Sequence, residues 1–384
     1  MKYVCREEIY GHYEWDDDFE LLANYINDTN IQNEDLFFWD GVEQLNSPFI
    51  PRGLVHGEVP SEYISYFNQF CELLENRNIN VFAVGGNCND LLEPKLPKHK
   101  RVKLFHWKTS LLHFIKHSIK SEIGEKTITK DFKKLFVFLN RHPRPERVHL
   151  LDSFYKHGLF DYGDISWNNL TSEWNGEASF KHWDEKRMIL DVNNVNESPQ
   201  SADFSTNFEK LEGGQFIRDY QLLNDYILDT KCLFNIACES VVKCEDDYFF
   251  ITEKTWKPIL LEQPSIIVGD SFYKKHMENM GFKFYDNLID YSFYNIDWED
   301  DDIDLYDKLS SELVKIKDKD YNELYNQINH IVYHNKKRAE EIIDNDPYIS
   351  DEFIQFYKKN RNDFQNFKRL KIDMDLETVL KSKL

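Results

Sequence analysis

Short apolar runs alternate with amphipathic segments along the first part of the chain. The runs have the length and composition of buried strands and lie at residues 2–5, 36–39, 79–84 and 101–107. Between them, apolar residues recur every three or four positions, as in Tyr63, Phe67, Phe70 and Leu74, which is typical of a helix with one buried face. Because strands and helices alternate, the pattern predicts a parallel sheet covered by helices and therefore an α/β domain.

The same alternation resumes after a polar stretch at residues 121–130. Further strands are predicted at 135–139, 233–238, 265–268 and 283–285. Pro145 suits the first turn of an intervening helix whose apolar residues are Val148, Leu151 and Tyr155. From residue 297 the chain becomes acidic, and its amphipathic segments predict only helices. We therefore predict an N-terminal α/β domain over residues 1–125, a second α/β domain over 126–300, and a helical C-terminal region over 301–384. The last helices are candidates to return to the N-terminal domain.

The stretch from Leu233 to Gly269 combines two of these strands with a helix between them. Thr252 stands where a helix N-cap is expected, Glu253 begins the first turn, and Pro264 ends the helix before the second strand. The pair Glu253–Lys254 is therefore predicted at a helix N-terminus, just beyond the carboxyl end of a core strand. Open α/β sheets bind nucleotides at such positions, because the strand ends leave a crevice and the helix amides attract phosphate.

The formal net charge of −21 argues against simple electrostatic binding to DNA or to an anionic membrane. Despite this negative net charge, the chain contains one dense basic run, which consists of Lys95, Lys98, Lys100, Arg101 and Lys103. We interpret it as a solvated loop, with a functional patch as the alternative. The carboxylate run at residues 297–304 is also interpreted as solvated, because its spacing does not match a calcium-binding loop.

Other features of the composition bear on location. No apolar run approaches the roughly 18 residues of a membrane span. The first residues include no apolar signal segment, and the six cysteines include no C-x-x-C pair. We therefore predict a cytoplasmic protein with reduced thiols.

The order and spacing of residues in the central stretch resemble the donor-site motif of α1,3-fucosyltransferases and their bacterial and viral relatives. The matching pieces are Phe234, the run Ala237 to Ser240, Phe250, the run Thr252 to Lys254, and the run Pro264 to Gly269. A further piece of the motif matches at Asn140 and Arg147, although Leu139 replaces the usual serine. The resemblance covers roughly residues 132–290.

This resemblance implies a GT-B enzyme, in which two Rossmann-like domains face a cleft. It implies an inverting transfer of a sugar from a nucleoside diphosphate sugar, with GDP-fucose as the expected donor, to a hydroxyl of a glycan or another acceptor. The nucleotide sugar is a co-substrate, and neither a cofactor nor a metal ion is expected.

Sugar transfer requires cations that stabilise the departing diphosphate and a carboxylate that orients the ribose. Lys254 and Arg147 suit the first task, with Arg141 and Arg144 as alternatives to Arg147, and Glu253 suits the second. The resemblance assigns these same positions to the donor. It extends the donor site to Asn140, Glu239 and Thr252. We interpret Lys257, one helical turn after Glu253, as a solvated helix residue.

The acceptor hydroxyl must lose a proton, and a carboxylate on the opposite wall of the cleft is suited to accept it. In the related enzymes this base lies in the N-terminal domain. Glu58, which follows an apolar segment and precedes a helix, is the first candidate, and Asp40 is the second. We interpret His56 and His106 as structural or solvated.

Two other functions compete with this prediction. One is a sugar transferase that acts on modified bases in DNA, which requires a wide basic face around residues 95–103. The other is a non-catalytic protein that binds a sugar nucleotide or a glycan and has kept the fold.

Overall fold

The computed structural model describes residues 1–5, 18–39, 61–85, 97–123, 127–139, 145–166, 231–239, 251–295, 303–366, 380 and 383. The chain divides into two compact units. Unit 1 comprises residues 1–117, 244–253 and 340–384, and unit 2 comprises residues 118–243 and 254–339. The domain boundaries at residues 125 and 300 stay predictions.

The described strands are β1 (Lys2–Cys5), β2 (Leu36–Trp39), β3 (Val81–Gly85), β4 (Val102–His106), β5 (Lys134–Leu139), β6 (Gly163–Ser166), β7 (Cys232–Cys238) and β8 (Ser265–Val268). The described α-helices are α1 (Asp18–Asp28), α2 (Ser61–Arg77), α3 (Ser110–Ile123), α4 (Pro145–Lys156), α5 (Glu253–Leu260), α6 (Tyr273–Asn279), α7 (Ile303–Ile316), α8 (Tyr321–Asp344), α9 (Asp351–Lys359) and α10 (Arg361–Asn366). They build two four-stranded parallel sheets with helices, so the predicted α/β class is confirmed.

Unit 1 contains the sheet β1-β2-β3-β4, with the strands in chain order. Leu36 of β2 pairs with Lys2 on one side and with Val81 on the other. Residues of β2 alternate between the two faces, so Leu36 and Phe38 join one apolar cluster while Phe37 joins another. A strand of four residues is buried on both sides in this way, which explains its unbroken apolar sequence.

Helices from opposite ends of the sequence cover the two faces of this sheet. On the first face, α1 and α2 bury the predicted apolar residues, including Leu22 and Phe67. On the second face, the rings of α9 and α10 pack on the strands: Phe356 lies 4.8 Å from Phe105, and Phe364 lies 4.8 Å from Phe37, measured between ring centroids. The N-terminal sheet therefore depends on residues near the end of the chain for half of its core.

A buried carboxylate anchors this returning segment. Oδ2 of Asp346 accepts hydrogen bonds from Trp107 Nε1 at 2.8 Å, from His113 Nε2 at 2.8 Å and from the Thr109 hydroxyl. Oδ1 of the same group accepts the backbone N–H of Tyr348 at 2.8 Å. Burial raises the pKa of Asp346, but the hydrogen bonds and the charge of His113, together with the other two donors, outweigh burial and lower it below the ordinary value.

Unit 2 contains the sheet β6-β5-β7-β8. From β5 the chain proceeds to β6 on one side, and from β7 it proceeds to β8 on the other side. The two connections, which contain α4 and α5, run in opposite directions across the sheet. The direction of winding therefore reverses between β5 and β7, which makes the boundary between these two strands a topological switch point.

The C-terminal part of unit 2 braces this sheet. The Ser153 hydroxyl of α4 lies within hydrogen-bonding distance of the Tyr306 carbonyl, the Asp307 carboxylate and the Ser310 hydroxyl of α7, at 3.0, 2.7 and 2.7 Å. Since these three partners of the Ser153 hydroxyl belong to α7, this hydroxyl fixes the helix that follows β5 against the first helix of the acidic region.

Several predictions about individual elements are wrong. Residues 283–285 do not form a strand, because the side-chain amide of Asn335 binds both the N–H and the C=O of Lys283 at 2.8 Å. The buried face of α4 is also different from the one expected. Tyr155 is exposed, and the buried residues are Arg147, Leu150, Leu151, Ser153 and Phe154.

One element boundary also differs, and one strand was not predicted. Helix α5 ends at Leu260, well before Pro264, and the backbone at Glu262 has a positive φ of 58°. Strand β6 was not predicted, because it is short and begins with a glycine. A Cβ at Gly163 would lie 2.4 Å from the ring of Phe136, so this position requires glycine.

We predict that Asp346→Ala lowers the free energy of unfolding by about 3–5 kcal/mol, because it leaves buried donors without their acceptor. Urea denaturation at pH 7 measures this. Glu352→Gln is the control, because Glu352 forms an exposed pair with Lys103 at 3.1 Å, worth at most about 1 kcal/mol.

The pH dependence follows from the lowered pKa of Asp346. A carboxylate whose pKa is lower in the folded state stabilises the fold above its unfolded pKa and loses that effect as the pH falls through the folded value. The stability difference between wild type and Asp346→Asn should thus be constant from neutral pH to about pH 4 and shrink below it. A difference that stays constant through acid unfolding would contradict the assigned hydrogen bonds.

Candidate functional site

The candidate site lies at the switch point of unit 2. Phe138 near the end of β5 pairs with Ile236 near the end of β7, so the carboxyl ends of these strands are neighbours. Helix α4 follows β5 and carries Arg147, while Glu239 directly follows β7. Ligands of open α/β sheets bind in the crevice that such a reversal leaves at the strand ends.

Glu239 is the buried acidic group of this site. Its side chain has no exposed surface, and its backbone N–H donates to the Val268 carbonyl of the next strand at 2.8 Å. One carboxylate oxygen, Oε1, accepts the Thr255 hydroxyl at 2.8 Å, and the other, Oε2, lies 3.9 Å from Lys254 Nζ. These contacts offset the cost of burying the charge, because a buried carboxylate needs both donors and a nearby cation.

Arg147 is the second cation of the site. It is only 8% exposed and lies on the same face of α4 as Leu150, Leu151 and Phe154, at the spacing of a single helical stripe. The apolar stem of an arginine can pack on the buried face of a helix in its first turn, provided that the guanidinium reaches a polar partner at the helix end.

The pKa of the Cys238 thiol depends on the charges around the end of β7. Burial raises the pKa of Cys238 to about 12, while the positive charges of Arg147 and Lys254 act in the opposite direction. Both cations thus act electrostatically on the same strand end, although they come from two different helices. The carboxylates of Glu146 and Glu239 raise this pKa and share the site with them.

A buried phenol lies next to Thr255. The hydroxyls of Tyr273 and Thr255 are 3.1 Å apart. A Cβ at Gly269 would lie 3.0 Å from the ring of Tyr273, so the glycine at the end of β8 is what allows this ring to approach the strand. The glycine that ends the predicted motif thus has a packing role.

The remaining predicted donor residues lie at the start of α5 or outside the described residues. The helix begins at Glu253, as predicted; Thr252, immediately before it, is buried, and Glu253 is half-buried. Asn140 and both candidate bases, Glu58 and Asp40, are outside the described residues. Arg141 and Arg144 are outside them as well, so Arg147 is the arginine of this group that the structure describes.

The prediction that Lys257 is solvated is wrong: this residue is 4% exposed and belongs to a run, residues 255–260, that is buried throughout. Thr255 and Tyr273 were not predicted as site residues. Thr255 follows the matched run Thr252 to Lys254 directly, which is the only signal the sequence offers. Tyr273 can be identified as a site residue only from its packing against Gly269 in the structure.

The basic run of unit 1 is largely engaged within the unit. Lys100 pairs with Glu75 at 2.8 Å, and Lys103 pairs with Glu352 at 3.1 Å. Arg101 donates to the side chains of Asn78 and Asn80, whereas Lys95 lies outside the described residues. Such pairing favours the interpretation as a solvated surface over that as a nucleic-acid face.

In the part of the chain that the structure describes, no group of three or more His, Cys, Asp or Glu side chains is arranged to hold a metal ion. Among the same residues, no helix has both the length and the apolar character needed to cross a membrane. Comparisons with protein families, with curated proteins and with solved structures found no match.

We predict that Gly269→Ala destabilises the protein by about 1–3 kcal/mol, because its methyl group forces the ring of Tyr273 to shift. Chemical denaturation measures the loss. In the background of Tyr273→Ala, which removes the ring and keeps only Cβ, the same substitution should cost clearly less. Equal costs in both backgrounds would show that Gly269 is not needed for the approach of Tyr273.

Proposed function

We propose that the chain is an inverting glycosyltransferase of the GT-B type that transfers a sugar from a nucleoside diphosphate sugar without a metal ion. GT-B enzymes are built from two Rossmann-like domains, and two α/β units with parallel sheets are compatible with that architecture. GDP-fucose is the donor that the sequence resemblance favours, and a glycan hydroxyl is the proposed acceptor.

The observation that carries the proposal is the placement of Arg147 and Lys254 at the switch point of the sheet. Arg147 lies in the first turn of the helix that follows β5, and Lys254 lies 3.9 Å from Glu239, which directly follows the neighbouring strand β7. A diphosphate is a suitable partner, since it offers several charged oxygens to a guanidinium and an ammonium at once.

The proposed chemistry assigns one task to each group. When the sugar–phosphate bond breaks, negative charge develops on the diphosphate, and Arg147, Lys254 and the N-terminus of α5 stabilise it. The carboxylate of Glu253 accepts hydrogen bonds from the ribose hydroxyls. Glu58, or else Asp40, removes the proton from the acceptor hydroxyl as it attacks the anomeric carbon on the face opposite to the diphosphate.

The two competing functions differ from the proposed one in what each requires of the protein. A DNA-directed sugar transferase needs a free basic face, and the net charge of −21 and the ion pairs of Lys100 and Lys103 weigh against it. A non-catalytic sugar-nucleotide-binding protein would use the same donor site, so it is distinguished by the absence of transfer and not by the absence of binding.

We predict that the wild-type protein binds one of GDP, UDP and GDP-fucose equally well in Mg²⁺ and in EDTA. Lys254→Ala and Arg147→Ala should each weaken this binding by about 10- to 100-fold, since a hydrogen bond to a charged group contributes about 1.5–3 kcal/mol. Glu253→Ala should reduce the affinity for the nucleotide as well. Isothermal titration calorimetry measures all three variants.

The control variant is Lys274→Ala. Lys274 is the second residue of α6 as Lys254 is of α5, and the two side chains are 23% and 21% exposed. Wild-type affinity in Lys254→Ala and Arg147→Ala, or an equal loss in Lys274→Ala, would refute the assigned site. Binding without transfer to any glycan acceptor would favour the non-catalytic alternative.

A further inference from the structure

Two buried hydroxyls, those of Tyr273 and Thr255, form a hydrogen-bonded chain that ends at Glu239 of the candidate site. Tyr273 of α6 contacts the Thr255 hydroxyl of α5 at 3.1 Å, and that hydroxyl contacts Glu239 Oε1 at 2.8 Å. Thr255 has no exposed surface, and Glu239 and Tyr273 are nearly as buried. The three side chains thus connect two helices to the end of β7 in a region without access to solvent.

The direction of these hydrogen bonds follows from the number of hydrogens. A carboxylate has none to give, so the single hydroxyl hydrogen of Thr255 is donated to Glu239. Thr255 can then only accept from Tyr273, which must be the donor of the second bond. Burial raises the pKa of Tyr273 well above its ordinary value; the bond to Thr255 acts in the opposite direction and the charge of Glu239 raises it further, so the phenol keeps its proton.

This chain determines which oxygen of Glu239 faces the cation. Because Oε1 is held by Thr255, Oε2 is the oxygen that lies 3.9 Å from Lys254 Nζ. A separation of this size is an ion pair and not a hydrogen bond, so Glu239 orients the ammonium through its charge. Lys254 and Thr255 are consecutive residues of α5, and both act on the same carboxylate.

We propose that Thr255 and Tyr273 are positioning residues of the donor site, whose hydroxyls fix Glu239 and thereby hold Lys254 in place for an anionic ligand. That the ligand is a nucleoside diphosphate rests on the proposed function. Without the Thr255 hydroxyl, Oε1 is left buried without this donor, and the carboxylate reorients toward the nearest cation. Lys254 is then drawn toward Glu239 and is less able to meet the ligand.

The test compares four conservative variants by calorimetric titration with GDP. Thr255→Val removes the hydroxyl and keeps the shape, and we expect about tenfold weaker binding, the effect of losing one hydrogen bond to a charged group. Tyr273→Phe acts one bond farther away and should weaken binding about threefold. Thr255→Ser keeps the hydroxyl and should bind as wild type does.

Tyr294→Phe is the control for the general effect of deleting a buried phenol. Tyr294 lies in the same unit, 5.7 Å from Tyr273 between ring centroids, but its hydroxyl donates to the Ile267 carbonyl. We expect this variant to lose stability while keeping its GDP affinity. Wild-type affinity in both Thr255→Val and Tyr273→Phe would overturn the proposal, and so would an equal loss in Tyr294→Phe.

A second readout does not depend on the ligand. Lysines labelled by reductive methylation with ¹³C give NMR signals that report their charge environment, and the Lys254 signal is identified by its absence in Lys254→Arg. It should shift in Thr255→Val and return to its wild-type position in Thr255→Ser. If the wild-type protein binds no nucleotide but the signal shifts as expected, the proposed function fails and the positioning role stands. An unchanged signal in Thr255→Val would overturn the positioning role.

Discussion

The buried carboxylate of Glu239 is the interaction on which the candidate site depends. It lies at the end of the central strand of one sheet, where it is held by a hydroxyl on one side and faces an ammonium on the other. An isolated charge in such a place costs several kcal/mol, so the surrounding helices must supply partners at fixed positions. Helix α5 supplies two of them from consecutive residues, and α6 supports one of these through a phenol that reaches the strand because Gly269 has no side chain. The requirement to compensate one charge thus determines how two helices pack.

Much of the fold could be predicted from the sequence, because most strands are buried on both faces and therefore read as unbroken apolar runs. The strand at residues 135–139 and the helix that begins at Pro145 are examples. The errors have physical causes that a linear pattern does not contain. Strand β6 begins with a glycine that makes room for Phe136, the backbone of Lys283 is bound by an asparagine side chain, and α4 turns Arg147 toward the interior while Tyr155 faces solvent.

The candidate site was predictable in part. The start of α5 at Glu253 was predicted from Thr252 in the N-cap position, and the matched motif leads to Arg147, Glu239 and Lys254. Thr255, Tyr273 and the burial of Lys257 could not be predicted, because each depends on contacts between elements that are distant in sequence or on the orientation of a short helix. The candidate bases Glu58 and Asp40, together with Asn140, stay predictions, since they lie outside the described residues.

The covering of one face of the N-terminal sheet by α9 and α10 has a consequence for the order in which the protein is made. A ribosome releases β1 to β4 first, but residues 346–364, which bury Phe37 and Phe105 and supply Asp346, emerge only after all residues of unit 2. Unit 2, most of whose residues lie between these segments, can complete its core earlier, reversing the usual order in which the N-terminal part of a chain folds first. During that interval an apolar sheet face is left uncovered. Termination near residue 340 would make this exposure permanent, so loss of residues 346–364 is expected to cause aggregation of the first part of the chain.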